Sequence, residues 1–197
     1  MGHDVTPARP KVDTEAMMQA WTKIVACGTS LWVRSALARK GRALLQGDIE
    51  GVSRGAVAYA ETISGTDYLE AVETIHAYGR QMAAFFEDYD ILLTPTLAEP
   101  PPKIGRFAHT TEDYVAYRTG PEGIFAHSPF TAAFNATGQP AVSVPLFWNE
   151  EGLPIGVHLA ARFGADTQLM SFCADLERAR PWFHHVPTVA GVDVEKA

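Results

Sequence analysis

The side chains able to do chemistry are few and scattered. One Gly-x-Ser-x-Gly match runs Gly51-Val52-Ser53-Arg54-Gly55. A nucleophile elbow needs a buried strand before it and a helix after it. The preceding "LLQGDIE" carries a glycine and two acids and makes a poor strand, so the match is read as chance, in a turn between two helices. Cys27 sits late in an apolar helical pattern with no cation fixed beside it to lower its pKa, and reads as packing. His158 shares the small-residue face of a strand with Gly156 and Ala160. It is read as a hydrogen-bonded structural histidine, with projection into a cavity as the alternative. His184 and His185 are adjacent, and neighbours on an element point apart, so they read as a surface pair rather than convergent metal ligands. Asp88 and Asp90 read as solvated charges at a helix-to-strand junction rather than an acid–base pair. The chain contains no Ser-x-x-Lys, no phosphate-binding loop and no dinucleotide fingerprint.

The elements that must carry these residues follow from periodicity. Residues 13 to 45 read as helical, with Gly28 breaking or bending the stretch and Gly41 and Gly47 marking its end. A second helix is capped by Asp67 with Glu70 three residues on. Its expected apolar stripe is Leu69, Val72, Ile75, His76, Met82, Ala83 and Phe86. "ILLTPT" reads as a strand, and the proline-rich stretch 97–106 as an extended surface loop. Residues 110 to 127 read as one helix. "AVSVPLF" and "PIGVHLAA" read as two strands joined by "WNEEGL", a hairpin. In the second, Ile155, Val157 and Leu159 share one face. A last helix runs through Leu169, Phe172, Cys173 and Leu176 to Pro181. Several helices with few strands imply an α/β fold, part of a mixed sheet covered by helices.

The totals exclude several classes. With 16 basic against 23 acidic side chains in 197 residues, the net charge of −7 disfavours a nucleic-acid surface. Arg34, Arg39, Lys40 and Arg42 read as a solvated helix face. No run suggests a membrane span, and "MGHDVTPARP" has no apolar core of a signal peptide. Two cysteines without metal spacing point to a reducing, cytoplasmic setting. Neither a metal nor an organic cofactor is expected.

The stretch 130–164 resembles the C-terminal segment of the amidase signature family. The motif is Phe-Asn-x-Thr-Gly-Gln-Pro-Ala-x-Ser-x-Pro, then Glu-Gly-Leu-Pro-Ile-Gly-Val, then Arg-Phe-Gly. It is carried here by Asn135, Thr137, Gly138, Gln139, Pro140, Ser143 and Pro145, by Gly152, Pro154 and Gly156, and by Arg162 to Gly164. "FEDYDILLTPTLAEPPPKIG", "LERARPW" and "MGHDV" also resemble family segments. Physically the motif is a scaffold device. Gly138 and Pro140 punctuate the approach to a strand, Asn135 and Thr137 bond the turn backbone, and Gly156 lets another chain segment come close.

The resemblance implies amide C–N hydrolysis by a Ser–cis-Ser–Lys triad. The triad's glycine- and serine-rich segment and its lysine belong to the family's N-terminal half. No such run occurs here, and Lys11, Lys23, Lys40, Lys103 and Lys196 lie outside any such context. No catalytic residue is therefore carried over. The implied unit is residues 1–197 as one partial domain, from a truncated gene, a split gene or an excised segment. Its implied partners are the missing half or a second copy, with a small amide as substrate of the parent enzyme. Cys27, Phe125, Phe130 and His158 are candidates for lining the substrate pocket, and Trp21 and Trp32 are further aromatics in view, with core packing as the rival role. A non-catalytic interaction module is the rival function. A hydrolase built on Ser53 or Cys27 is a third reading.

Overall fold

The computed structural model describes residues 1–185. Asp13 opens the first helix, α1 (Thr14–Lys40), by accepting the Ala16 amide at 2.9 Å, and left-handed Gly41 ends it. The helix runs unbroken through Gly28, so the expected break does not occur there. One glycine costs about 1 kcal/mol in a helix, too little to interrupt 27 residues.

The next helix, α2 (Gly51–Glu61), contains Ser53 inside it rather than in a turn. Its glycine spacing has a packing cause. A Cβ on Gly51 would lie 2.2 Å from the Thr110 carbonyl oxygen, and one on Gly55 would lie 2.1 Å from that of Glu112. The two glycines stand one turn apart and form the groove in which residues 110–112 lie. Val52 donates its amide to the His109 carbonyl at 3.1 Å in the same contact.

The third helix, α3 (Gly65–Phe85), is capped by Ser64, not Asp67. Asp67 is the reciprocal member of the capping box, three residues in. Of the expected stripe, Ile75, Met82 and Phe86 are buried and the rest is not. Ala71, Ile75, Tyr78 and Met82 face the core, while Leu69, His76 and Ala83 are exposed.

After β1 (Ile91–Pro95) and the proline-rich loop, residues 110 to 127 form two short helices instead of one. These are α4 (Tyr114–Thr119) and α5 (Ile124–His127), split where Gly120-Pro121 stops the first. Helix α6 (Thr131–Thr137) leads into the hairpin of β2 (Ala141–Trp148) and β3 (Pro154–Ala161), and α7 (Asp166–Ala179) follows. The Asn149 side chain pins the hairpin loop by accepting the Glu151 and Leu153 amides.

The three strands pair antiparallel in the order β1-β3-β2, so β3 is central. Its alternation separates two cores. Ala160, with Leu92, packs against α1, α3 and α6; Leu159 and Ala161, with Val144, pack against α7. A third cluster joins Ala26 of α1, Ala56 of α2 and Tyr114 of α4. The result is an α/β fold with helices on both sheet faces. Among the described residues no helix is long and apolar enough to cross a membrane.

Candidate functional site

The motif 134–164 winds from α6 through the hairpin to the start of α7. Gly138 ends α6 with φ +75°, a left-handed conformation that glycine adopts without strain. Asn135 and Thr137 do not bond the turn. Asn135 donates to the Thr131 carbonyl within α6 at 3.1 Å, and the Thr137 hydroxyl donates to Gln139 Oε1 at 3.1 Å. Asn135 is satisfied inside the helix, and Thr137, the last helical residue, reaches past Gly138 to a side chain rather than to the turn backbone. Gln139 is buried, and its Nε2 has no partner among the described residues.

Cross-strand pairing gathers four polar side chains on one sheet face. His158 of β3 stands opposite Thr94 of β1 and Ser143 of β2. Two residues along lie Gly156 and Thr96. The Thr96 and Ser143 hydroxyls meet at 2.6 Å. They meet over Gly156, where an added Cβ would lie 2.5 Å from Thr96 Oγ1 and 2.6 Å from Ser143 Oγ. Gly156 is thus the gap through which β1 and β2 are tied across the central strand. His158 is buried, accepts or donates a bond with Thr94 Oγ1 at 3.3 Å, and packs on Phe134 with ring centroids 5.2 Å apart. Burial depresses its pKa and keeps it neutral. It is buried and hydrogen-bonded within the sheet.

The other pocket candidates lie apart from it. Cys27 is half-buried in α1, and burial raises its pKa against the smaller pull of Arg34. Phe125 is buried beneath Arg118, whose guanidinium stands 4.7 Å from the ring centroid. Phe130 sits half-buried at the start of α6. Ser53 lines an open apolar cavity of about 530 Å³ with Trp21, Gly28 and Trp32. A second cavity, about 470 Å³, opens between α1, α3 and α6 and is also bordered by Trp21. Neither of these two cavities is lined by Cys27, Phe125, Phe130 or His158. His184 and His185 are exposed, and His185 stacks on Trp148.

Sequence reasoning passed over a polar node under α4. Arg118 Nε donates to Thr22 Oγ1 at 3.2 Å, and the Tyr114 hydroxyl donates to the Thr22 carbonyl at 3.3 Å. Burial lowers the Arg118 pKa and pushes Tyr114 up to about 12. It also passed over a clasp on the proline-rich loop, where Glu99 binds both Arg106 and His127. Thr22 lies 92 and 96 positions from its partners and Glu99 lies 28 from His127, so no local pattern announces these contacts.

Comparison with known proteins agrees with this arrangement. The chain is 28% identical over 191 residues to the 6-aminohexanoate-cyclic-dimer hydrolase of Pseudomonas sp. (strain NK87), covering 95% of this chain and 39% of that protein. It is 38% identical over 113 residues to the putative amidase AmiC of Mycobacterium leprae (strain TN), covering 57% of this chain and 23% of that one. A solved structure of 6-aminohexanoate cyclic dimer hydrolase superposes with a TM-score of 0.77 at 29% identity, over 92% of this chain and 38% of that one. The chain therefore spans less than two fifths of the length of these relatives. The family profile described as Amidase matches residues 18–170, from the second turn of α1 to the second turn of α7, and so takes in the sheet, the Gly156 gap and the motif around it. This chain belongs to the amidase family.

Proposed function

We propose that this chain is the C-terminal portion of an amidase signature hydrolase that cleaves amide C–N bonds, with its serine–lysine machinery in sequence outside the chain. The observation that carries the reading is a relative matched along nearly the whole chain yet over only 39% of the relative's own length. The groups present here fit that division. Ser53 lies within a helix, and burial pushes the Cys27 and Cys173 thiols up, away from the thiolate. In the parent enzyme a serine attacks the amide carbonyl, the amine leaves, and water hydrolyses the acyl-enzyme. The residues of this chain supply the sheet, the helices over it and part of the substrate pocket. The partner called for is the remainder of the amidase domain. Two unbridged thiols suit a reducing compartment.

Exposed Leu93 on β1 and Phe147 on β2, both on edge strands, favour one alternative, an interaction module derived from the same fold. The test has two arms. The isolated chain is assayed against short aliphatic and aromatic amides, and the DNA upstream of the Met1 codon is sequenced. The proposal expects no turnover from the chain alone. It also expects a glycine- and serine-rich segment with its lysine, encoded in frame or in a neighbouring gene. Turnover abolished by Ser53→Ala or Cys27→Ala would overturn it. Absence of any such upstream segment would favour the interaction module.

A further inference from the structure

The cavity of about 470 Å³ between α1, α3 and α6 has the size of a small-molecule site. Its walls are apolar at Trp21, Ile24 and Phe163. Its polar groups are donors or neutral: Arg80 and His76 stand one turn apart on α3, facing Thr137 and Gln139. Among the described residues no aspartate or glutamate lines it. Arg80 is exposed and, like seven of the other arginines, has no ion-pair partner among the described residues, so its guanidinium is open to a ligand. Gln139, only 7% exposed, uses Oε1 on the Thr137 hydroxyl and leaves its Nε2 donor without an acceptor. A buried donor is seldom left unpaired. An acid-free cavity with a free guanidinium, a histidine, an unmatched amide donor and aromatic walls is complementary to one kind of ligand.

We propose that this cavity binds a small carboxylic acid with an apolar body. Arg80 meets the carboxylate, assisted by His76. A carboxylate oxygen or an intervening water answers the Gln139 amide, and the body lies against Trp21, Ile24 and Phe163. The proposal stands independently of the amidase reading, because none of these contacts involves the serine–lysine chemistry.

The probe is cyclohexanecarboxylate, transparent where tryptophan emits, with cyclohexylmethanol as its uncharged counterpart. Titration into the full chain should change tryptophan fluorescence saturably, and Trp21→Phe should remove most of that change. Arg80→Gln should weaken binding at least about tenfold, as should replacing the acid with the alcohol. His76→Gln should weaken it less. Arg80 is exposed, so its substitution should leave the melt unaltered; a misfolded variant hands the decision to His76→Gln and the acid–alcohol comparison. Three results would each overturn the proposal: no saturable change, equal affinity for acid and alcohol, or a response that persists undiminished in Trp21→Phe.

Discussion

Replacing Gly156 by valine tests the tie across the sheet. The new Cβ would start 2.5 Å from Thr96 Oγ1, 2.6 Å from Ser143 Oγ and 3.0 Å from Thr96 Cβ. Those separations are about 1 Å short of a normal contact at 3.5–4.0 Å. Valine adds two methyls beyond that point. Neither side chain can yield freely, since each hydroxyl is the other's partner at 2.6 Å and each strand is fixed by its ladder to β3. The hydroxyl pair is solvent-exposed, so its loss contributes at the low end of about 0.5–1.5 kcal/mol. Overpacking contributes about 1–3 kcal/mol. The β-propensity gain of valine over glycine opposes these by up to about 1 kcal/mol. The net expectation is a loss of about 1–3 kcal/mol, a fall in Tm of about 2–12 °C for a chain of this size.

Thermal melts followed by circular dichroism read the shift directly. A cycle isolates its cause: with Thr96→Ala and Ser143→Ala already in place, the hydroxyls are gone and Gly156→Val should cost at least about 0.5 kcal/mol less. An unchanged or raised Tm would refute the reasoning outright. A loss of equal size in both backgrounds would show that the obstacle is something other than the Thr96–Ser143 pair.

Three further outcomes follow from named contacts. Gly55→Ala, which in an exposed helix would stabilise by about 1 kcal/mol, should here destabilise by about 1–3 kcal/mol, because the obstacle is the Glu112 backbone at 2.1 Å; urea melts give the sign. Glu99 has its carboxyl pKa lowered first by Arg106 and then by His127. Its contribution is therefore present above the unfolded carboxylate value of about 4.3 and is lost as pH falls through the lower folded value. The Tm gap between the chain and Glu99→Gln should be open at pH 7 and close on acidification below about pH 4, and a gap that widens there would contradict the clasp. Finally, β1 and β2 are both edges of a three-stranded sheet, with exposed Leu93 and Phe147 on them. Light scattering should accordingly show concentration-dependent self-association of the isolated chain; a monomer at all concentrations would show the edges to be protected.

Much of this fold can be read locally, because its causes are local. Asp13 and Gly41 bracket α1, the Asn149–Gly152 loop closes the hairpin, and the alternation in 155–160 assigns each residue of β3 to its face. Local pattern fails where two answers satisfy it equally. Helix α3 carries two apolar stripes, and choosing Ala71–Ile75–Tyr78–Met82 over Leu69–Val72–Ala83 requires knowing where α1 and α6 lie. The same holds for the motifs. Gly51 and Gly55 look like the frame of a nucleophilic serine until residues 110–112 are found pressed against them. Gly156 looks like a weak spot in a strand until Thr96, 60 positions away, is found over it. At these three glycines the sequence specifies an absence, room for a backbone or a pair of hydroxyls, and an absence has no chemical type by which a pattern search could recognise it. Those gaps hold 110–112 against α2 and β1 to β2, and in the proposed enzyme they would fix the scaffold against which the catalytic residues act.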